Sequence, residues 1–220
     1  MWDIFTEYYI GAGLLWSGIG YTLLLSAIAV FFGAILGSLM AIGKRSRFAP
    51  LRFFITAVVE VLRGTPALLQ LYVAYFIIPM LLKSAGMSPF ACVAIALSLN
   101  SAAYVSEIIR SGIEAVDKGQ TEAAQALGLT GKTAMLKIVL PQAVKNILPA
   151  LGNEFITIIK ETSLASTFYV GELMTTYQTI RGITFNTIPT LFIIGIVYFV
   201  MTFSLSKILK VFERRMKRSA

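Results

Sequence analysis

Three long stretches of this chain carry no charged residue: Tyr8 to Gly43, Ser84 to Ser106 and Gly182 to Ser206. A helix needs about 20 apolar residues to cross a hydrocarbon core about 30 Å thick, so each stretch is long enough to span a membrane. Helices bond their backbone groups within the segment, whereas barrel strands would alternate polar and apolar residues, which these do not. Only 14% of the 220 residues are charged, against about 25% in a soluble domain, too few to cover a water-facing surface. The sequence therefore predicts an all-α membrane protein with one transmembrane domain over residues 1–220.

Five spans are expected, near residues 14–42, 53–82, 85–109, 144–170 and 184–206. Lys44, Arg45, Arg47 and Arg52 flank the first connection. Arg110, Lys118, Lys132, Lys137 and Lys145 flank the third, and Lys207, Lys210, Arg214, Arg215, Lys217 and Arg218 form the tail. Lys83 and Arg181 fall on the opposite side, and Arg63 and Lys160 within spans. Basic residues are retained in the cytoplasm, so the N-terminus is expected outside and the C-terminus inside. The net charge of +8 then belongs beside anionic headgroups and is no nucleic-acid signal. Met1-Trp2-Asp3-Ile4 lacks a basic start, so the first helix is expected to be no cleaved signal peptide.

Much chemistry is excluded by what is missing. The chain has no histidine, so it has no imidazole base or histidine metal site. Asp3 and Asp117 are its only aspartates and are far apart in sequence, and Cys92 is its single cysteine. No catalytic residue and no metal ligand is expected, and the chain is read as no enzyme.

The longest polar connection runs from about Arg110 to Val144. Thr121 to Leu127 favours a short helix. Gly128 suits its left-handed end, Thr130 suits the N-cap of a second short helix, and Pro141 suits the first turn of the next span. The expected result is a compact knob of two short helices. Within it, Glu122-Ala123-Ala124, Gly128, Ile138 and Leu140-Pro141 stand at the spacing of a known signature. They resemble the EAA loop of binding-protein-dependent ABC importer permeases. The resemblance implies that this loop is a coupling helix seated in a cleft of a separate ATPase subunit. ATP and magnesium would then be bound by that partner and not by this chain. Ala126 to Thr133 also approaches a phosphate-loop pattern, but an alanine-rich helix precedes it where a strand is required.

Two spans carry internal charge. Glu60 and Arg63 share one helix face before Gly64-Thr65-Pro66 breaks the second span. Lys160-Glu161-Thr162-Ser163 interrupts the fourth, with Glu154 upstream. A charge in mid-bilayer costs at least about 2.5 kcal/mol, so such residues face a cavity or a partner. They can form structural ion pairs, or a midplane site for a zwitterion in which a cation holds the carboxylate and Glu the ammonium. A transporter driven by an ion gradient also fits such charges, but it does not require the EAA loop.

Arg63-Gly64-Thr65-Pro66 with Gln70, Tyr104 with Glu107 and Arg110, and Lys160 to Leu164 resemble the polar amino-acid branch of these permeases. The resemblance covers about Gly18 to Leu209 and includes Gly152-Asn153. It implies a substrate pocket of Glu60, Arg63, Thr65, Asn100, Tyr104, Glu107, Lys160, Glu161, Thr162, Ser163 and Leu164. It also implies a second permease chain, identical or homologous, two ATPase subunits, an extracytoplasmic binding protein that delivers the amino acid, and residence in the bacterial inner membrane. Gly33 and Gly37 are expected at a close helix contact, and Phe31, Phe32, Phe192, Tyr198 and Phe203 facing lipid or packed.

Overall fold

The computed structural model describes residues 2–82 and 86–218, with side chains for 3–82 and 86–216. Lys83 and Ser84, and the side chains of Lys217 and Arg218, lie outside the described residues. Among them the chain is nearly all helical, with short turns between helices and no strand. Helix α1 (Trp2–Ile4) runs on as a π-helical turn, Phe5–Gly11. Gly13, at φ 70°, redirects the chain into α2 (Leu14–Gly43). There follow α3 (Ala49–Gly64), α4 (Ala67–Leu81) and α5 (Pro89–Glu114). Next come α6 (Lys118–Ala126), α7 (Gly131–Ala134), α8 (Leu140–Glu161), α9 (Leu173–Thr184) and α10 (Thr187–Arg218).

Four units are long and apolar enough to cross a membrane: α2, α5, the run Gly131–Phe168 that contains α8, and α10. The α3–α4 pair makes a fifth if counted as one span. The core is built on α2 against α5. A methyl group added at Gly33 would stand 2.7 Å from Ser101 Oγ, and one at Gly37 would stand 2.6 Å from the Ala102 carbonyl. The expected glycine pair thus lets the backbones of α2 and α5 approach closely, and larger residues would push them apart. Leu71 and Ala74 of α4 pack with Val93 and Leu97 of α5. Tyr9 closes the opposite side, its hydroxyl donating to the Thr190 carbonyl at 3.0 Å.

The expected break in the second span is present, and two other expectations are corrected. Helices α3 and α4 are bent by 113° at Gly64–Thr65–Pro66. Thr65 is extended (φ −115°, ψ 148°), as a residue before proline must be, and Pro66 brings no amide to continue the ladder. The knob does not hold two separate short helices. A π-helical turn, Met135–Val139, joins α7 to α8, so the fourth span starts thirteen residues earlier than residue 144. Pro141 falls in the first turn of α8 with no break before it. At the far end, α8 runs through Lys160 to Glu161 and tightens into a 3₁₀ segment, Thr162–Phe168. Thr162 and Ser163 hydroxyls donate to Ile159 and Lys160 carbonyls, each at 2.7 Å, satisfying the last turn.

Candidate functional site

The break between α3 and α4 strips carbonyls of their helical partners, and Gln70 supplies new ones. Its Nε2 donates to the Leu62 carbonyl at 2.7 Å, the Thr65 carbonyl at 3.2 Å and Thr65 Oγ1 at 2.9 Å. Its Oε1 accepts from Asn100 Nδ2 at 3.0 Å, which ties the break to α5. Asn100 is buried, and its Oδ1 has no partner among the described residues. Asn100 thus has an acceptor to spare, whereas Thr65 and Gln70 are largely occupied in holding the bend.

One and two turns along α5 from Asn100 stand Tyr104 and Glu107. The Glu107 carboxylate gathers cations from three helices. Lys44, just past α2, pairs with its Oε1, and Arg110 Nε donates to Oε2 at 2.9 Å. Arg63 at the end of α3 stands 3.8 Å from the same Oε2. Arg63 is also 3.9 Å from Glu60 and lies over the Tyr104 ring at 5.8 Å. Arg110 is further committed to Glu114 at 2.6 Å. Lys44 and Arg110 are each hydrogen-bonded to a carboxylate, whereas Arg63 has ion contacts but no short hydrogen bond. Of the three, Arg63 is the cation that no short hydrogen bond holds.

Arg63, Tyr104 and Glu107 line a cavity of about 370 Å³, walled on the far side by Asn146 and Ala150 of α8. A neighbouring hollow of about 410 Å³ shares Ala115 and Asn146 and continues to Asp117 and Lys145. The site thus opens toward the start of α6. Glu107 is seven residues, about 10 Å, from the end of α5. The charge cluster therefore sits toward the α6 end of the bundle and not at its middle.

Lys160 to Leu164 is placed differently. Lys160 is exposed, Thr162 is buried, and Leu164 packs on the core beside Phe168. Among the described residues, no hydrogen bond or ion pair links this segment to Glu107 or Arg63. Glu161 Oε2 and Glu154 Oε1 are buried without a hydrogen-bond partner among the described residues, and Glu154 lies beside Ser101 of α5.

A residue that sequence reasoning missed is Glu172. Fully buried between the spans, it caps α9 by accepting from Met174 and Thr175 amides at 2.5 and 2.7 Å and from Thr175 Oγ1 at 2.7 Å. Tyr198 of α10, expected to be lipid-facing or packed, donates to it at 3.3 Å. Burial pushes the Glu172 carboxyl up, against the opposing pull of these hydrogen bonds. An acid directly before an apolar helical run was the available signal.

The connecting knob is ordered by local chemistry. Asp117 caps α6, accepting from the Gly119 amide at 2.7 Å. Gly128 takes φ 81° and ends the helix, and Thr130 caps α7, accepting from the Thr133 amide at 3.3 Å. Ala124 faces inward and is 1% exposed, while Glu122, Ala123 and Gly128 lie outside and Leu127 is 83% exposed. Leu140 and Pro141 are exposed and Ile138 is half-buried. The exposed Leu127 gives the knob an apolar tip.

Comparison with known proteins places this architecture. A model of the family described as "Binding-protein-dependent transport system inner membrane component" matches residues 29–218. The arginine transport system permease protein ArtQ of Bacillus subtilis is 42% identical over 200 residues, covering 91% of each chain. The putative glutamine transport system permease protein GlnP of Rickettsia felis is 40% identical over 216 residues, with 98% of this chain and 99% of that one covered. The L-cystine transport system permease protein TcyB of B. subtilis is 37% identical over 218 residues, with 99% and 92% covered. A crystal structure of an amino acid ABC transporter with histidines superposes with a TM-score of 0.88 at 42% identity, over 93% of this chain and 94% of that one. The inward-facing MetNI methionine ABC transporter shares the fold, with a TM-score of 0.68 at 20% identity. With its apolar helices, its glycine-jointed knob and a family match over most of its length, this chain belongs to the binding-protein-dependent transport system inner membrane components, the bacterial membrane permeases.

Proposed function

We propose that this chain is the permease subunit of an ATP-driven importer of polar amino acids, with Arg63 receiving the substrate carboxylate. The observation that carries the reading is the spare bonding capacity of Arg63 in a cavity where the other cations are already hydrogen-bonded. A guanidinium matches a carboxylate with two parallel bonds. Glu60, largely exposed one turn away, can take the ammonium. The cavity volume is in the range of small-molecule sites. Relatives named for arginine, glutamine and cystine support the class, since these substrates share the carboxylate and ammonium.

The α6 knob docks on a partner ATPase, which binds ATP and magnesium, and a second permease chain, identical or homologous, completes the pore. An extracytoplasmic binding protein delivers the amino acid. The knob faces the cytoplasm, following the basic residues around it. ATPase closure moves α6 and, through the unbroken α7–α8 helix, the wall of the cavity formed by Asn146 and Ala150. That motion alternates access. The chain itself does no bond chemistry.

Uptake into proteoliposomes holding the complete complex, its binding protein and internal ATP tests both parts. Arg63→Ala is expected to weaken uptake efficiency about 10- to 100-fold, from a charged hydrogen bond worth about 1.5–3 kcal/mol, with partial rescue by Arg63→Lys. Glu122→Lys is expected to abolish substrate-stimulated ATP hydrolysis. Undiminished uptake by Arg63→Ala would remove the assignment of the carboxylate site.

A further inference from the structure

Helix α3 differs from the other apolar helices in its direction. It turns 113° from α4. Helix α4 runs back along α5, with Gln70 at Asn100 and Leu71 and Ala74 beside Val93 and Leu97. Helix α3 therefore lies across the bundle. Two contacts fix its level. Ile55 seats on Gly43, the last residue of α2, where an added methyl group would overlap it. Arg63 reaches Glu107, which also holds Lys44. The middle and the C-terminal end of α3 thus sit toward the end of the α2–α5 pair, where an apolar core gives way to headgroups.

Its surface suits that depth. Ile55, Val59 and Leu62 form the helical stripe turned toward the protein, and only Val59 among them is fully buried. Phe53 and Phe54 point away from it, 77% and 65% exposed. Arg52 opens the helix, and Arg45 and Arg47 stand in the turn before it. All three are exposed, and none pairs with an acidic side chain among the described residues. Arg52 donates to the Ser46 carbonyl at 3.5 Å. An apolar outer face flanked by unpaired cations is the pattern of a helix lying in a membrane interface.

We propose that the Arg45–Arg52 turn and the outer face of α3 bind anionic phospholipid headgroups, and that this anchorage holds Arg63 at the cavity. The first half needs only the geometry above; the second rests on the transport reading. Charge complementarity decides the occupant: a protein partner would have to bring acids to three arginines, whereas an anionic leaflet presents them continuously.

The test uses the assembled complex in nanodiscs. Cys92 is buried and is the sole cysteine of this chain, so a fluorophore placed on Phe54→Cys of the purified chain before assembly reports one position. Brominated phosphatidylglycerol is expected to quench it more strongly than brominated phosphatidylcholine. In the Arg45→Gln, Arg47→Gln, Arg52→Gln background that preference is expected to fall about fivefold per arginine. Equal quenching by the two lipids overturns the proposal, as does a preference unchanged by the triple substitution. Protection of the label by a second permease chain, seen as no quenching by either lipid, also overturns it. For the second half, proteoliposomes of phosphatidylcholine alone are expected to transport with a raised KM relative to those containing phosphatidylglycerol. Phe53→Ser with Phe54→Ser is expected to reproduce that rise. An unchanged KM overturns the link to Arg63. A complex that transports in no lipid, yet keeps the quenching preference, overturns the transport reading and leaves the lipid surface standing.

Discussion

Gln70 and Asn100 meet across the bend of the α3–α4 pair, the Asn100 amide donating to Gln70 Oε1 at 3.0 Å while Gln70 Nε2 holds the carbonyls of Leu62 and Thr65. The pair joins the break between α3 and α4 to the helix bearing Tyr104 and Glu107.

Replacing Gln70 by Leu leaves those carbonyls and Asn100 without partners. Each buried group left unsatisfied costs about 1–3 kcal/mol, so thermal unfolding of the purified chain is expected to drop by several degrees. Gln70→Glu puts an acceptor against carbonyl oxygens and is expected to be worse. Equal unfolding temperatures for wild type and Gln70→Leu would show that water holds the bend.

Glu107 holds Lys44 and Arg110 together, with Arg63 nearby. Glu107→Gln leaves a largely buried Lys44 with no anion, a loss of about 3–5 kcal/mol when one partner of a buried pair is removed. Lys44→Met combined with Glu107→Leu is expected to recover most of that stability without recovering uptake. A double-mutant cycle on unfolding midpoints measures the coupling.

The turn at Gly128 separates fold from docking. Gly128→Val places a branched side chain at φ 81°, at a cost of about 1–2 kcal/mol, and is expected to lower both stability and coupled ATP hydrolysis. Leu127→Asp changes a residue 83% exposed. It is expected to leave unfolding unchanged and to remove only the stimulation of the ATPase, read from hydrolysis with and without substrate-loaded binding protein.

Glu172 gives a pH dependence whose sign follows from burial. Its folded carboxyl is pushed up, so its contribution to stability is fully present below the ordinary carboxylate value of about 4.3 and is lost as pH rises through the folded value. Glu172→Gln keeps a capping oxygen and cannot titrate. Its unfolding temperature is expected to vary less from acid to neutral pH than that of wild type. A parallel profile for the two proteins would place the titration elsewhere.

Certain features are legible in the order of residues alone. Uncharged runs as long as Tyr8 to Gly43 point to membrane helices, because a helix satisfies its backbone within the segment and these runs lack the alternation of barrel strands. Gly33 and Gly37 foretell a close helix contact without naming the partner helix, and Gly128 and Thr130 set their own turns through local backbone chemistry. The break at Thr65-Pro66 is legible for the same reason.

The direction of that break is not. Proline forbids a continued helix but does not choose a 113° turn; Gln70, Asn100 and the seat of Ile55 on Gly43 choose it. Residues 44, 63 and 107 are far apart in sequence, and only the packing of α2, α3 and α5 brings their charges together. Ala124 shows the same limit, since a helix of alanines does not declare which one faces inward. Local rules fix where a chain can bend and which segments must leave water. Which distant side chains then share a cavity depends on how whole helices fit together, a property of their shapes and not of any one segment.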